Sequence, residues 1–218
     1  MYQSERWLDR LQWKYDKYAI RNLMNIIVAG MAIVYILDSM TYTVIHYRAS
    51  RYLSFNLQAI LHGQIWRLIS FIFIPPDSNP LFVIFSLYFY WLIGSSLENQ
   101  WGSFKFNVYY LCGMIGTIIA GCITGHATNY YLNMSLFLAF AMLYPNYQVV
   151  ICFILPVKMK HLAMIDAAAM LIMFLRDGLP GKIALVAAIA NFILFFWRDI
   201  YSRIHAMWRR YKWHRNFK

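Results

Sequence analysis

Charge is scarce in this sequence. Asp, Glu, Lys and Arg make up 13% of its 218 residues, against about 25% in an ordinary soluble domain. A chain so poor in charge cannot cover itself for water. With 61% hydrophobic residues in recurring apolar runs, the expected body is embedded in a membrane rather than built around one core helix. Cysteine is nearly absent: Cys112, Cys122 and Cys152 lie in or beside apolar runs. Their odd number and their spacing exclude a disulfide framework, a zinc pattern and a thioredoxin motif. A short apolar stretch near the start is also missing. The first 22 residues are polar and basic, so no cleavable signal peptide is expected. No metal-ligand constellation, phosphate loop or cofactor box is visible, and neither metal nor cofactor is expected. The length fits one domain.

What is present begins with a net charge of +11. Nucleic acid is the wrong partner for it, because the basic residues gather at the two ends, beside apolar spans. The positive-inside bias and anionic lipid headgroups account for them better. Residues 1–22 set Trp7, Leu8, Leu11, Tyr15 and Tyr18 at near-helical spacing among Arg6, Arg10, Lys14, Lys17 and Arg21, the pattern of an amphipathic helix lying in the interface. Six spans are expected within 23–197: near 23–45, 81–97, 104–124, 130–147, 161–175 and 183–197. Residues 46–80, ending Ile74-Pro75-Pro76-Asp77-Ser78-Asn79-Pro80, read as a partly embedded loop. Residues 148–160 read as a return at the interface, and 198–218 as a basic cytoplasmic tail whose default contact is lipid. With both termini inside, 15 Lys and Arg fall on the inner side and five on the outer, which supports an even number of spans. Small residues at Gly113, Thr117, Gly121 and Gly125 give span three a smooth face for a neighbouring helix.

Two sequence blocks are specific. One is Gly63-Gln64-Ile65-Trp66-Arg67-Leu68-Ile69. The other places Gly94, Glu98 and Gly102 four apart at the end of span two. In this order and setting the chain resembles the rhomboid superfamily, from about residue 20 to 197. More narrowly it resembles a bacterial rhomboid-like group with Tyr-Leu-Asn-x-Ser at the start of span four, here Tyr131-Leu132-Asn133-Met134-Ser135. Derlins are a more distant match. The resemblance implies an all-α polytopic fold, a rhomboid-like six-helix bundle preceded by an interfacial helix, in a bacterial cytoplasmic membrane with both termini inside. Ser103 is expected to N-cap span three, with Glu98 serving the amides of its first turn.

Rhomboid proteolysis needs a serine, a histidine to take its proton, and donors for the oxyanion. The resemblance aligns the nucleophile with Ser135, but Asn133-Met134 and Leu136 stand where active members carry glycines. Leu185 takes the place of the base, and Phe82 and Ser86 take those of the span-two histidine and asparagine. Leucine accepts no proton, and without a base a neutral serine is a poor nucleophile. A serine bonded to local backbone is the favoured reading of Ser135. His126 is the one alternative base considered. An intramembrane carboxylate marks a functional candidate, so Asp166 stands out, with Asn191, Lys158 or Lys160 as its expected partner. Asp38 and Asn25 are weaker cases.

The leading expectation is therefore a proteolytically inactive rhomboid-like protein that binds transmembrane segments of client proteins in a cleft of spans two, four and five. Alternatives are a divergent serine-type intramembrane protease using Ser135 and, more weakly, a transporter or channel subunit around Asp166 and Asn191. The two halves show no inverted repeat, which lowers the last reading.

Overall fold

A computed structural model describes residues 6–76, 79–151 and 155–216. Cys152 and residues 1–5 lie outside them, as do the side chains of Trp7 and Leu8 and of most of the basic tail. The described chain is helical almost throughout. Four helices are long and apolar enough to cross a membrane: α2 (Leu23–Ile45), α6 (Pro80–Trp101), α7 (Ser103–Thr124) and the Leu179–Trp197 part of α10 (Leu179–Asn216). Two further helices complete the bundle. α8 (Tyr130–Leu143) has 14 residues, about 21 Å, and is too short for the roughly 30 Å of a hydrocarbon core. α9 (Met159–Arg176) has the length but carries Lys160, Asp166 and Arg176. Among the described residues four helices thus meet the length and hydropathy of a span, where six spans are expected from the sequence.

α7 and α8 form the centre. α7 packs on α6, α8 and α10, and α8 packs on α6, α7, α9 and α10. At the start, α1 (Arg6–Tyr15) lies against α7 near Gly102. α2 lies outside α6, where a Cβ on Gly94 would overlap Met24. The small-residue face of α7 meets several neighbours at once. A Cβ on Gly113 would overlap Leu132 of α8 and Asn191 of α10, and one on Gly121 would overlap Phe55 and Ala127. The stripe therefore lets four elements close on α7, where one neighbouring helix is expected from the sequence.

The helix boundaries differ from expectation for local reasons. α6 begins at Pro80 because proline suits a first helical position, and Asn79 caps it through Oδ1, which accepts from the Leu81 amide at 3.0 Å. It runs on to Trp101 and stops at Gly102, whose φ of +83° suits glycine alone. Gly102, not Ser103, is the N-cap of α7. α8 stops at Leu143, since Pro145 drives the preceding residue out of the helical region. Within the expected return, β3 (Gln148–Ile151) pairs antiparallel with β4 (Leu155–Lys158). α10 starts early, with Pro180 in its first turn, and continues through the basic tail because no glycine or proline interrupts 198–216.

Residues 46–76 are ordered by their own polar groups. Short helices α3 (Ser50–Leu53), α4 (Leu57–Leu61) and α5 (Arg67–Ser70) follow one another, with strand β1 (Phe55–Asn56) between the first two. Arg67 is 7% exposed. Its guanidinium donates to the Arg51 carbonyl at 2.8 Å, the Ser54 carbonyl at 2.7 Å and the Gln64 side chain at 2.6 Å. A buried charge is tolerable only when so satisfied. Trp66 Nε1 donates to the Tyr52 carbonyl at 3.2 Å, and Ser70 to that of Leu53 at 2.8 Å. The tryptophan–arginine pair is thus the frame of this loop. β1 pairs with β2 (His126–Ala127), and Asn129 donates to the carbonyls of Ile72 and Ile74 at 3.1 and 2.8 Å. Both contacts moor the loop to the start of α8.

Candidate functional site

Ser135 sits on the second turn of α8 and is 1% exposed. Its hydroxyl donates to the Leu132 carbonyl at 2.9 Å. From α7, the Tyr109 hydroxyl donates to the Ser135 carbonyl at 3.0 Å and lies 3.2 Å from its Oγ. Tyr109 is itself fully buried, against Trp101 and Phe195. The proton a nucleophile must lose is held by a backbone carbonyl, and the side chain is buried. Leu185 is also buried, but it packs with Met134 and Met170. Met134 and Ser135 point about 100° apart on a helix, so the residue at the base position belongs to a different packing cluster from the serine.

The other expected partners are equally apart. His126 is exposed, and its backbone pairs with Asn56; the structure does not fold it over Ser135. Phe82 is 58% exposed and Ser86 half-buried, on the first two turns of α6. Asn191 donates to the Tyr109 carbonyl at 3.4 Å and faces Gly113. It does not meet Asp166, whose Oδ2 is buried with no hydrogen-bond partner among the described residues. Neither Lys158 nor Lys160 bonds to it, and no group of metal-ligating side chains occurs among the described residues.

The motif glycines and Glu98 have structural work. Glu98, 8% exposed, accepts from the Asn22 amide and from the Ser103 hydroxyl, both at 2.7 Å. It ties the start of α2, where Asn22 has φ of +55°, to the start of α7. It meets α7 at the Ser103 hydroxyl, not at the first-turn amides expected from the sequence.

One place in the bundle has polar groups and no such settlement. α6 and α9 both pack on α8 and have little or no contact with each other, so one stretch of α8 lies between them. Asn133 lies there, 3% exposed, with neither its amide nitrogen nor its oxygen hydrogen-bonded among the described residues. Tyr90 of α6 is set against it. The Tyr110 hydroxyl of α7, buried and unbonded, interacts electrostatically with Tyr90. Asp166 of α9 does the same with Tyr130 at the start of α8. An unsatisfied buried polar group costs about 1–3 kcal/mol, more where no water can reach it. Asn133, Tyr90 and Tyr110 were passed over in the sequence. Asn133 reads there as a flank of the serine, although an amide in an apolar run is itself the signal.

A family described as "Eukaryotic integral membrane protein (DUF1751)" matches residues 25–131. The match takes in α2, the ordered loop, Trp66-Arg67, the Gly94–Glu98–Gly102 block and α7. It stops before Asn133 and Ser135. No curated protein matches the chain. Together with the apolar helices, the match makes this chain an integral, multi-pass membrane protein. The family's description is eukaryotic, and the bacterial membrane expected from the sequence gives way to it. Charge asymmetry and span length are shared by membranes of every kind and do not carry the source.

Proposed function

We propose that this chain is a rhomboid-like membrane protein without proteolytic activity, which binds transmembrane segments of client proteins in the cleft between α6 and α9. The observation that carries the reading is a contrast over three residues of α8. Ser135 is closed off, its proton on the Leu132 carbonyl and its carbonyl on Tyr109. Asn133, two residues earlier, has no hydrogen bond of good geometry to either amide atom among the described residues, and only the Tyr90 side chain is set close enough to bond it. Unpaired polar groups at membrane depth favour a partner that brings its own donors and acceptors. A client helix with a polar or basic residue at the depth of Asn133 and Asp166 supplies them. Lipid tails do not.

Photocrosslinking tests this directly. A benzoylphenylalanine at Tyr90 keeps an aromatic ring in the cleft. It is expected to capture intact membrane proteins, and Asp166→Asn is expected to reduce the yield by about tenfold, the worth of one buried charged contact. The same clients must keep their full length. A client shortened only when Ser135 is present would replace the reading with a divergent intramembrane serine protease. A fluorophosphonate probe beside a Ser135→Ala control gives the matching chemical answer; labelling that disappears in the control would mean an activated serine.

A further inference from the structure

Three carboxylates lie within the helices α2, α6, α7, α8 and α9. Asp38 accepts from the Ser50 amide at 2.7 Å, and Glu98 from Asn22 and Ser103. Asp166 is the exception. It is half-buried, and its Oδ2 has no hydrogen-bond partner among the described residues. A charge at membrane depth calls for a counter-charge, and the helices around Asp166 hold none. α6 and α8 contain no Lys, Arg or His. α9 has none between His161 and Arg176, and α10 none between Lys182 and Arg198.

A cation for Asp166 would have to come from outside the described chain, and its source can be narrowed. A second copy brings the same sequence, and α2 and the part of α7 beyond Lys105 are equally without Lys, Arg or His. A lipid amine stays at headgroup height. Asp166 lies about 9 Å along α9 from Lys160 and about 15 Å from Arg176, well inside a hydrocarbon core of about 30 Å. A helix that crosses the bilayer with its own lysine or arginine reaches that depth. Ala167 and Ala168, next along α9, are exposed, and small residues let a second helix come close. The flexible stem of the basic side chain covers the remaining distance.

The depth also has a direction. α9 follows β4 directly, and the Tyr144 hydroxyl after α8 donates to Gln100 near the end of α6 at 3.2 Å. The ends of α6 and α8 and the start of α9 therefore share one face of the bundle, and Asp166 is nearer to that face than to the other.

We propose that the segments bound between α6 and α9 are spans with one intramembrane lysine or arginine, set about 9 Å inside that face, and that Asp166 pairs with it. This rests on the client-binding reading of the same site. It adds the charge, the depth and the orientation of the bound segment.

Coexpressed single-span hosts test it. Each is an apolar helix of about 20 residues, with one lysine stepped along it turn by turn, beside an all-leucine host. The full chain carries benzoylphenylalanine at Tyr90. Capture is expected to peak for the lysine about 9 Å inside the α9-start face, at about tenfold over the all-leucine host, the ratio one charged contact sustains. Asp166→Asn should flatten that profile while capture of the all-leucine host stays unchanged. Asp166→Lys should move the preference to a host with glutamate at the same depth. Equal capture of every host by the wild type would overturn the proposal and leave client binding standing. Capture of none would remove both. A lysine peak that survives Asp166→Asn and Asp166→Lys would assign the recognition to another group and overturn it as well.

Discussion

α7 and α9 are helices of similar length in one bundle, and they are built to different rules. Eight of the 22 residues of α7 are buried, and only two of the 18 in α9. α7 spends its small residues on close approach, at Gly113 and Gly121, and its polar ones on settled bonds. Thr117 donates to the Gly113 carbonyl at 2.9 Å, and Tyr109 to that of Ser135. α9 packs chiefly on α8, α10 and β4, shows Met164, Ile165, Leu171 and Leu175 to its surroundings, and has no hydrogen-bond partner for Asp166 Oδ2 among the described residues. Close packing makes a helix a fixed part of the frame. Few buried contacts make one that opens cheaply. The cleft proposed to hold clients lies along the second kind, where an opening costs least.

Overpacking is the strongest way to break the comparison. Gly113→Leu drives side-chain atoms into Leu132 and Asn191 and should cost about 3 kcal/mol or more. Ala168→Leu on exposed α9 should stay within about 0.5 kcal/mol. Reversible unfolding in detergent, or steric trapping, measures both, and equal losses would end the distinction. Tyr109→Phe comes next, with an expected loss of about 1 kcal/mol for one buried hydrogen bond. Ser135→Ala leaves the Ser135 carbonyl to accept from Tyr109, so a loss of about 0.5 kcal/mol is expected, with client crosslinking unchanged. The smallest effect on stability belongs to Asp166→Asn, near zero or slightly favourable, since it removes an uncompensated charge. Its effect on crosslinking is the largest of the five. A variant that strongly lowers stability as well would make Asp166 part of the frame.

How much of this was legible in the sequence follows the same division. The apolar runs gave the membrane-embedded helices, and the Trp66-Arg67 and Gly94–Glu98–Gly102 blocks were visible as units because their spacing is local. What they touch was not. Nothing near Arg67 announces that its partners are the carbonyls of Arg51 and Ser54, because carbonyls are the same at every residue. Pro80 was read as the end of a loop, whereas proline ends a helix from within and begins one at its first turn. Leu185 and Ser135 looked like a pair in alignment. Only helix rotation separates Met134, which meets Leu185, from the serine. Asp166 was singled out as an expensive group, and its partners were sought among cations and amides. Among the described residues Oδ2 has none, an outcome no sequence pattern encodes.

α10 runs as one helix from Leu179 to Asn216, and only its part to Trp197 has the apolarity of a span. The remaining 19 residues, 198–216, extend it by about 28 Å. A rod of that kind is a lever with its fulcrum among α7, α8 and α9. A tilt of about 10° where α10 packs on α9 would sweep the far tip by about 5 Å. An occupant that parts α9 from its neighbours thus has a mechanical route to the basic end of the chain, and a label at that end would register events inside the bilayer.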